Sequence, residues 1–165
     1  MAMRIPWSAA ILFTALIACT AAPYAEAKAA PKKSWTRVAG VTAKETVQVR
    51  FTNKRGKATY FVASPDSPLE TRITGRKTLR LYLSPEFKDS AAPPTEAQVK
   101  VSVSGMPDRL IVMQSRPSAT RRYRSGQPPG VPGEVTTAYI EIPAGEHAVR
   151  VSATSRVAIQ LSVDQ

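Results

Sequence analysis

The stretch "EIPAGEHAVRV", residues 141–151, holds the only histidine of the chain, His147, with Glu146 beside it. An imidazole next to a carboxylate can act as a general base, a pH sensor or a metal ligand. A Ser-His-Asp relay also needs a serine presented on a sharp turn. No Gly-x-Ser-x-Gly occurs, and "RSGQ" (124–127) is only half of one. A zinc site needs three or four Cys, His or carboxylate ligands. There is no second histidine to begin one, and the single cysteine, Cys19, sits at the end of an N-terminal apolar run. The residues around His147 read more simply as a bend. A hairpin with the loop Pro143-Ala144-Gly145-Glu146 pairs Ile142 with His147, Ile140 with Val149 and Ala138 with Val151. Apolar then meets apolar throughout, which is how a buried face fixes register. His147 is expected to close the rim of that face with one ring nitrogen hydrogen-bonded.

A second grouping is "RPSATRRYRSGQPPG" (116–130), which concentrates Arg116, Arg121, Arg122 and Arg124 around Tyr123. Guanidinium forks match carboxylates and phosphates bidentately, and a neighbouring aromatic ring can stack on a flat partner. These five residues are the expected anion-binding group. Lys54, Arg55 and Lys57 form another basic cluster that could join it if the two loops share one end of the fold. The carboxylates are scattered, with no pair placed for acid–base or glycosidic work. No phosphate-cradling glycine loop is present. No catalytic residue, metal or cofactor is therefore expected.

Charge supports an anionic partner. The 165 residues carry 23 Lys and Arg against 12 Asp and Glu, a net +11. The first 27 residues hold only Arg4 and Glu26, so the excess belongs to the remainder. Such a balance favours acidic surfaces.

The leader itself reads as an address. Arg4 precedes an apolar run, Ile5 to Ala18, which is followed by small residues ending in "PYAEA" with Ala25 and Ala27 in A-x-A spacing. That order marks a secretory signal peptide, and about 14 apolar residues fall short of the ~20 that a spanning helix needs. "LIAC" (16–19) resembles the lipobox of bacterial lipoproteins, which implies lipidation of Cys19 and a leader of 1–18. Ordinary cleavage after Ala27 gives a leader of 1–27. Residues 28–33 (KAAPKK) read as a flexible basic tether. With either cleavage the folded part has no cysteine, so a hydrophobic core must hold it together without disulfides.

The elements that must position these residues are strands. Alternation is clear in "TVQVRF", "TLRLYLS", "QVKVSVS" and "VAIQLSV", each with one apolar face and one polar face. In "TLRLYLS" the second face carries Arg80 and Tyr82. "ATYFVA" (58–63) and "RLIVMQ" (109–114) are apolar on both faces and are expected in central positions. Turn chemistry at 53–56, 74–78 and 104–108 predicts hairpins, with Val49 opposite Tyr60 and Ile73 linked to Leu79. The proline-rich segments 84–97 and 122–134 are expected to stay unpaired. Residues 34–165 thus predict an all-β domain, a single antiparallel β-sandwich of immunoglobulin-like architecture with about nine strands. A small closed barrel is the alternative.

Taken together, these features predict a non-enzymatic exported protein of a bacterial periplasm or cell envelope. It would be an accessory or binding module docking an acidic glycan, a lipid phosphate or an acidic protein. A structural subunit joined to a larger envelope assembly by strand pairing is the alternative, and a hydrolase is less favoured. Export removes nucleic acid from the expected partners, and contact with a membrane is expected only through a lipid on Cys19.

Overall fold

The computed structural model describes residues 34–53, 55–124 and 130–165. The leader, Cys19, the 28–33 tether, Lys54 and residues 125–129 lie outside the described residues. Among the described residues twelve strands form: β1 (Trp35–Arg37), β2 (Thr46–Phe51), β3 (Lys57–Ala63), β4 (Leu69–Thr74), β5 (Lys77–Phe87) and β6 (Thr95–Val103). Then follow β7 (Arg109–Ser115), β8 (Arg121–Tyr123), β9 (Val131–Pro132), β10 (Thr136–Ile142), β11 (Glu146–Ala153) and β12 (Val157–Asp164). Nine of the twelve are six residues or longer, and β1, β8 and β9 are short additions.

The strands form two antiparallel sheets. The larger runs β10-β5-β12-β3-β2-β8, with β9 on β5. The first half of β12 pairs with β3 and its last residues with β1. The smaller sheet runs β4-β11-β6-β7. Among the described residues both sheets have free edges, so the body is a sandwich and not a closed barrel. The alternating leucines of β5 (Leu79, Leu81, Leu83) and the Val157, Ile159 and Leu161 row of β12 face inward from the larger sheet. Val99 and Val101 of β6 and Val149 and Val151 of β11 meet them from the smaller one. All are essentially without solvent contact, each contributing on the order of 1.5–3 kcal/mol by leaving water.

Two expected hairpins prove to be crossings between the sheets. β4 pairs with β11 while β5 pairs with β10 and β12, so the 74–78 link carries the chain from one sheet to the other. The 143–146 link does the same between β10 and β11. Ile140 and Val149 are both buried as the pattern requires, but on opposite layers. The two links lie side by side, tied by Gly75 N–H donating to the Gly145 carbonyl at 2.8 Å. A hairpin and a sheet-to-sheet arch bury the same alternate positions, so alternation cannot tell them apart. The 104–108 turn does join a hairpin, β6 with β7.

The β2–β3 hairpin forms with its register two residues from expectation: Val49 faces Ala58, and Val47 faces Tyr60. An even shift keeps every side chain on its face, so the hydrophobic pattern permits both registers. β3 is central, as expected. β7 is instead an edge strand, with Leu110 62% and Val112 52% exposed. The 84–97 segment is also less irregular than its prolines suggest. β5 continues through Pro85 to Phe87, and the Pro85 carbonyl accepts from Gly133 N–H at 2.7 Å. Proline lacks only the donor, and here the acceptor carries the pairing. Arg122–Tyr123 and Val131–Pro132 of the second segment likewise pair, within β8 and β9.

Candidate functional site

The outer face of the larger sheet is unlike an ordinary wetted surface. Residues paired across strands share a face. Outward positions therefore bring together Trp35 of β1, Tyr60 of β3, Arg80 and Tyr82 of β5, Tyr139 of β10 and Gln160 of β12. At one end lies a second hydrophobic cluster: Val47, Val49, Tyr60, Val62 and Ala158, with Tyr82 and Tyr123 against it. This cluster is where the apolar face of "TVQVRF" is buried, outside the main core.

At the other end the rings stay accessible. Trp35 and Tyr139 sit with ring centroids 5.8 Å apart, tilted by 49°. The Arg80 guanidinium lies 4.0 Å from the Trp35 ring centre and 4.8 Å from that of Tyr82. Tyr139 is 60% exposed. Between the two ends runs an open cleft of about 490 Å³, bordered by Asn53, Tyr60, Tyr82, Arg121, Val135 and Gln160 among others.

The arginines divide by partner. Four of them hold carboxylates: Arg72 with Glu146 at 2.8 Å, Arg116 with Glu134 at 2.9 Å, and Arg150 with Glu70 at 3.0 Å. Arg156 forks onto Glu45 with two bonds of 2.8 Å and reaches Glu86 at 3.1 Å. The hydrogen bonds from Arg156 hold the Glu45 carboxyl below the usual carboxylate range, against some opposing desolvation. On the outer face, by contrast, Arg80 and Arg121 lean on rings. Neither has a carboxylate within ion-pair distance among the described residues, and the Nε of each is buried without an acceptor.

The five residues of the sequence-derived anion group do not converge. Arg116 is engaged by Glu134. Arg121 is only 5% exposed: Nη2 donates to the Tyr60 hydroxyl at 2.6 Å and Nη1 to the Gly133 carbonyl at 3.4 Å. Burial lowers its pKa, with partial compensation from Tyr60 and Tyr123. Arg122 alternates to the other side of β8 and is exposed, donating to the Ser118 and Arg121 carbonyls. Tyr123 is half-buried, and its phenol is pushed up first by burial and then by nearby Glu86. Arg124 is exposed and donates to Gln48 Oε1 at 3.0 Å. Of the five, Arg121 alone borders the cleft.

His147 stands at the rim. Nδ1 lies 2.9 Å from the Ser104 carbonyl and Nε2 3.4 Å from that of Ala144, so the ring braces the 104 turn against the 144 link. Among the described residues no group of three His, Cys, Asp or Glu could hold a metal. Sequence reading missed Trp35, Tyr60 and Tyr139 as site residues. Its one signal was Arg80 and Tyr82 at the outward positions of β5.

No family model matches the chain, and no curated protein matches its sequence. Solved structures resemble its fold. One is an exo-β-1,3-galactanase from Phanerochaete chrysosporium, at 14% identity and TM-score 0.42, covering 79% of this chain and 29% of that one. The chain thus spans less than a third of that enzyme. A family 35 carbohydrate binding module from Clostridium thermocellum matches at 10% identity and TM-score 0.39, over 80% of this chain and 98% of that one. A carbohydrate binding module of Cellvibrio mixtus lichenase 5A, in complex with cellotriose, gives 12% and 0.38, over 75% and 98%.

Proposed function

We propose that the protein is a non-catalytic binding module, exported to a bacterial envelope, that takes an acidic polymer on the outer face of its larger sheet. One observation carries the reading. That face is paved with rings, and its two sheltered guanidiniums, Arg80 and Arg121, have no carboxylate of the protein's own within ion-pair distance among the described residues. Trp35 and Tyr139 offer flat apolar surface for a sugar ring, and Arg80 between Trp35 and Tyr82 offers charge. An acidic glycan presents both counterparts in alternation along its length. The excess of basic residues draws such a chain in from solution. Affinity electrophoresis through gels containing acidic or neutral polysaccharides tests this. Trp35→Ala and Tyr139→Ala should each weaken retardation by acidic polymer by about tenfold, the loss of one good ring contact. Retardation should also fade with added salt. Equal retardation of wild type and both variants would overturn the assignment of the face.

The edge strand β7 favours a second reading, a subunit joined by strand pairing. It leaves Leu110 and Val112 exposed on a strand that, among the described residues, pairs with β6 alone. Crosslinking in native cells discriminates: a partner attached through β7 that survives high salt supports this reading, and a solitary monomer refutes it. The same experiment, read by mass spectrometry, gives the mature N-terminus, Cys19 with lipid or Lys28.

A further inference from the structure

We infer that the cleft between Tyr60, Tyr82 and Arg121 is a subsite for one carboxylate of the ligand, so that the acidic polymer is one whose units carry a carboxylate on the sugar. This inference rests on the proposed function and sharpens it. Arg121 borders the cleft and is almost wholly withdrawn from water. A guanidinium stays charged in proteins, and a sheltered cation without a counter-charge is unfavourable. Its present contacts are neutral: the Tyr60 hydroxyl, the Gly133 carbonyl, and the faces of Tyr60 and Phe51 at 5.1 and 5.8 Å. Its Nε–H has no acceptor among the described residues. A structural arginine in this fold is built differently, as Arg156 shows with its two carboxylates.

The charge balance selects the class of anion. Among the described residues that border the cleft, Arg121 is the one cation, and Asn53, Tyr60, Thr120 and Gln160 add neutral donors. A single negative charge matches one guanidinium and those donors. A phosphate near two negative charges would remain half neutralised. The volume, about 490 Å³, lies within the range of small-ligand sites, and Tyr82 links the cleft to the Arg80 and Trp35 platform. One sugar can therefore sit in the cleft while its neighbours lie across the platform.

The test is a titration of ¹⁵N-labelled protein with methyl β-D-glucuronide, methyl β-D-galacturonide, their neutral parents, and glucose 6-phosphate. The Arg121 Nε–H signal is assigned by its loss in Arg121→Lys. A uronide should shift that signal and the amides of Asn53 and Gln160, binding about tenfold or more tighter than its neutral parent. Asn53→Asp, a rim change, should abolish that preference by placing a like charge beside the carboxylate. It covers the case in which Arg121→Gln does not fold. Equal binding of acid and parent, or uronide affinity unchanged in a folded Arg121→Gln or in Asn53→Asp, would overturn the subsite. Tighter binding of the sugar phosphate would overturn the choice of carboxylate. An acidic polymer that still binds through Trp35 and Tyr139 in those cases leaves the proposed function standing. Failure of every acidic polymer to perturb the outer face removes both.

Discussion

Gly133 offers a sharp test of how the outer face is assembled. Its N–H donates to the Pro85 carbonyl at 2.7 Å, and its own carbonyl accepts from Ser84 Oγ at 2.8 Å and from Arg121. A Cβ placed on it would lie 2.7 Å from the Phe87 ring, 2.8 Å from Ser115 Oγ and 2.9 Å from the Pro85 carbonyl oxygen. None of the three can easily yield. Phe87 is buried, Ser115 belongs to the other sheet, and the Pro85 oxygen is held by Gly133 itself. Gly133→Ala is thus an overpacking change, expected to cost about 2–3 kcal/mol. At roughly 3–5 °C per kcal/mol for a domain of this size, the melting temperature should fall by about 6–15 °C. Gly105→Ala is the control. Gly105 has φ of 79° and open space around its missing Cβ, so only the backbone conformation is penalised, by about 1 kcal/mol. Thermal unfolding followed by far-ultraviolet circular dichroism measures both. A Gly133→Ala variant that melts within about 2 °C of wild type, or above Gly105→Ala, would refute the close approach of β9 to β5.

Two titrations probe the ionic structure. Glu45 has a folded pKa below its unfolded value, so its contribution is full above about pH 4.3 and is lost as pH falls below that toward the folded pKa. Its pair with Arg156 is over a third exposed, which keeps the effect under about 1 kcal/mol. Urea unfolding between pH 6 and pH 3 should show a drop that Glu45→Gln reduces, and an identical drop in the variant would refute the assignment. Tyr60 and Tyr123 have phenols raised by burial, so the stability they lend below about pH 10 is lost as pH climbs above it toward their folded values. Tyr123→Phe should lessen the alkaline loss seen in the same assay. Absorbance at 295 nm should show wild-type Tyr123 ionising only well above pH 10, and ionisation at the ordinary pH would contradict its burial.

Much of the fold was legible because alternation reports burial directly. Leu79, Leu81 and Leu83, or Val99, Val101 and Val103, needed only a period of two to be placed inward. Connectivity was less legible. The 143–146 link presents Ile142 and His147 to the core whether β11 returns beside β10 or crosses to face it. That choice is made by the partners β4 and β6, remote in sequence. β7 read as central because Leu110 and Val112 are apolar, yet both point to water.

The site was harder still. The notable run, 116–124, is a cluster along the chain, but the two-residue period of β8 sends Arg121 and Arg122 to opposite sides. The face described here draws single residues from β1, β3, β10 and β12 and two from β5, and no local window contains more than Arg80 and Tyr82. Only the strand order brings Trp35 to Tyr139.

Strand β1 gives that arrangement a mechanical character. It holds on through three residue pairs to the end of β12, and Gln165 N–H closes the seam on the Ser34 carbonyl at 3.1 Å. Tension applied through the chain before Ser34 would peel this short seam first, from Trp35 onward, while the leucine and valine layers stayed shut. Trp35 would swing away from Tyr139 and Arg80 with it, so the ring platform would come apart before the body unfolded.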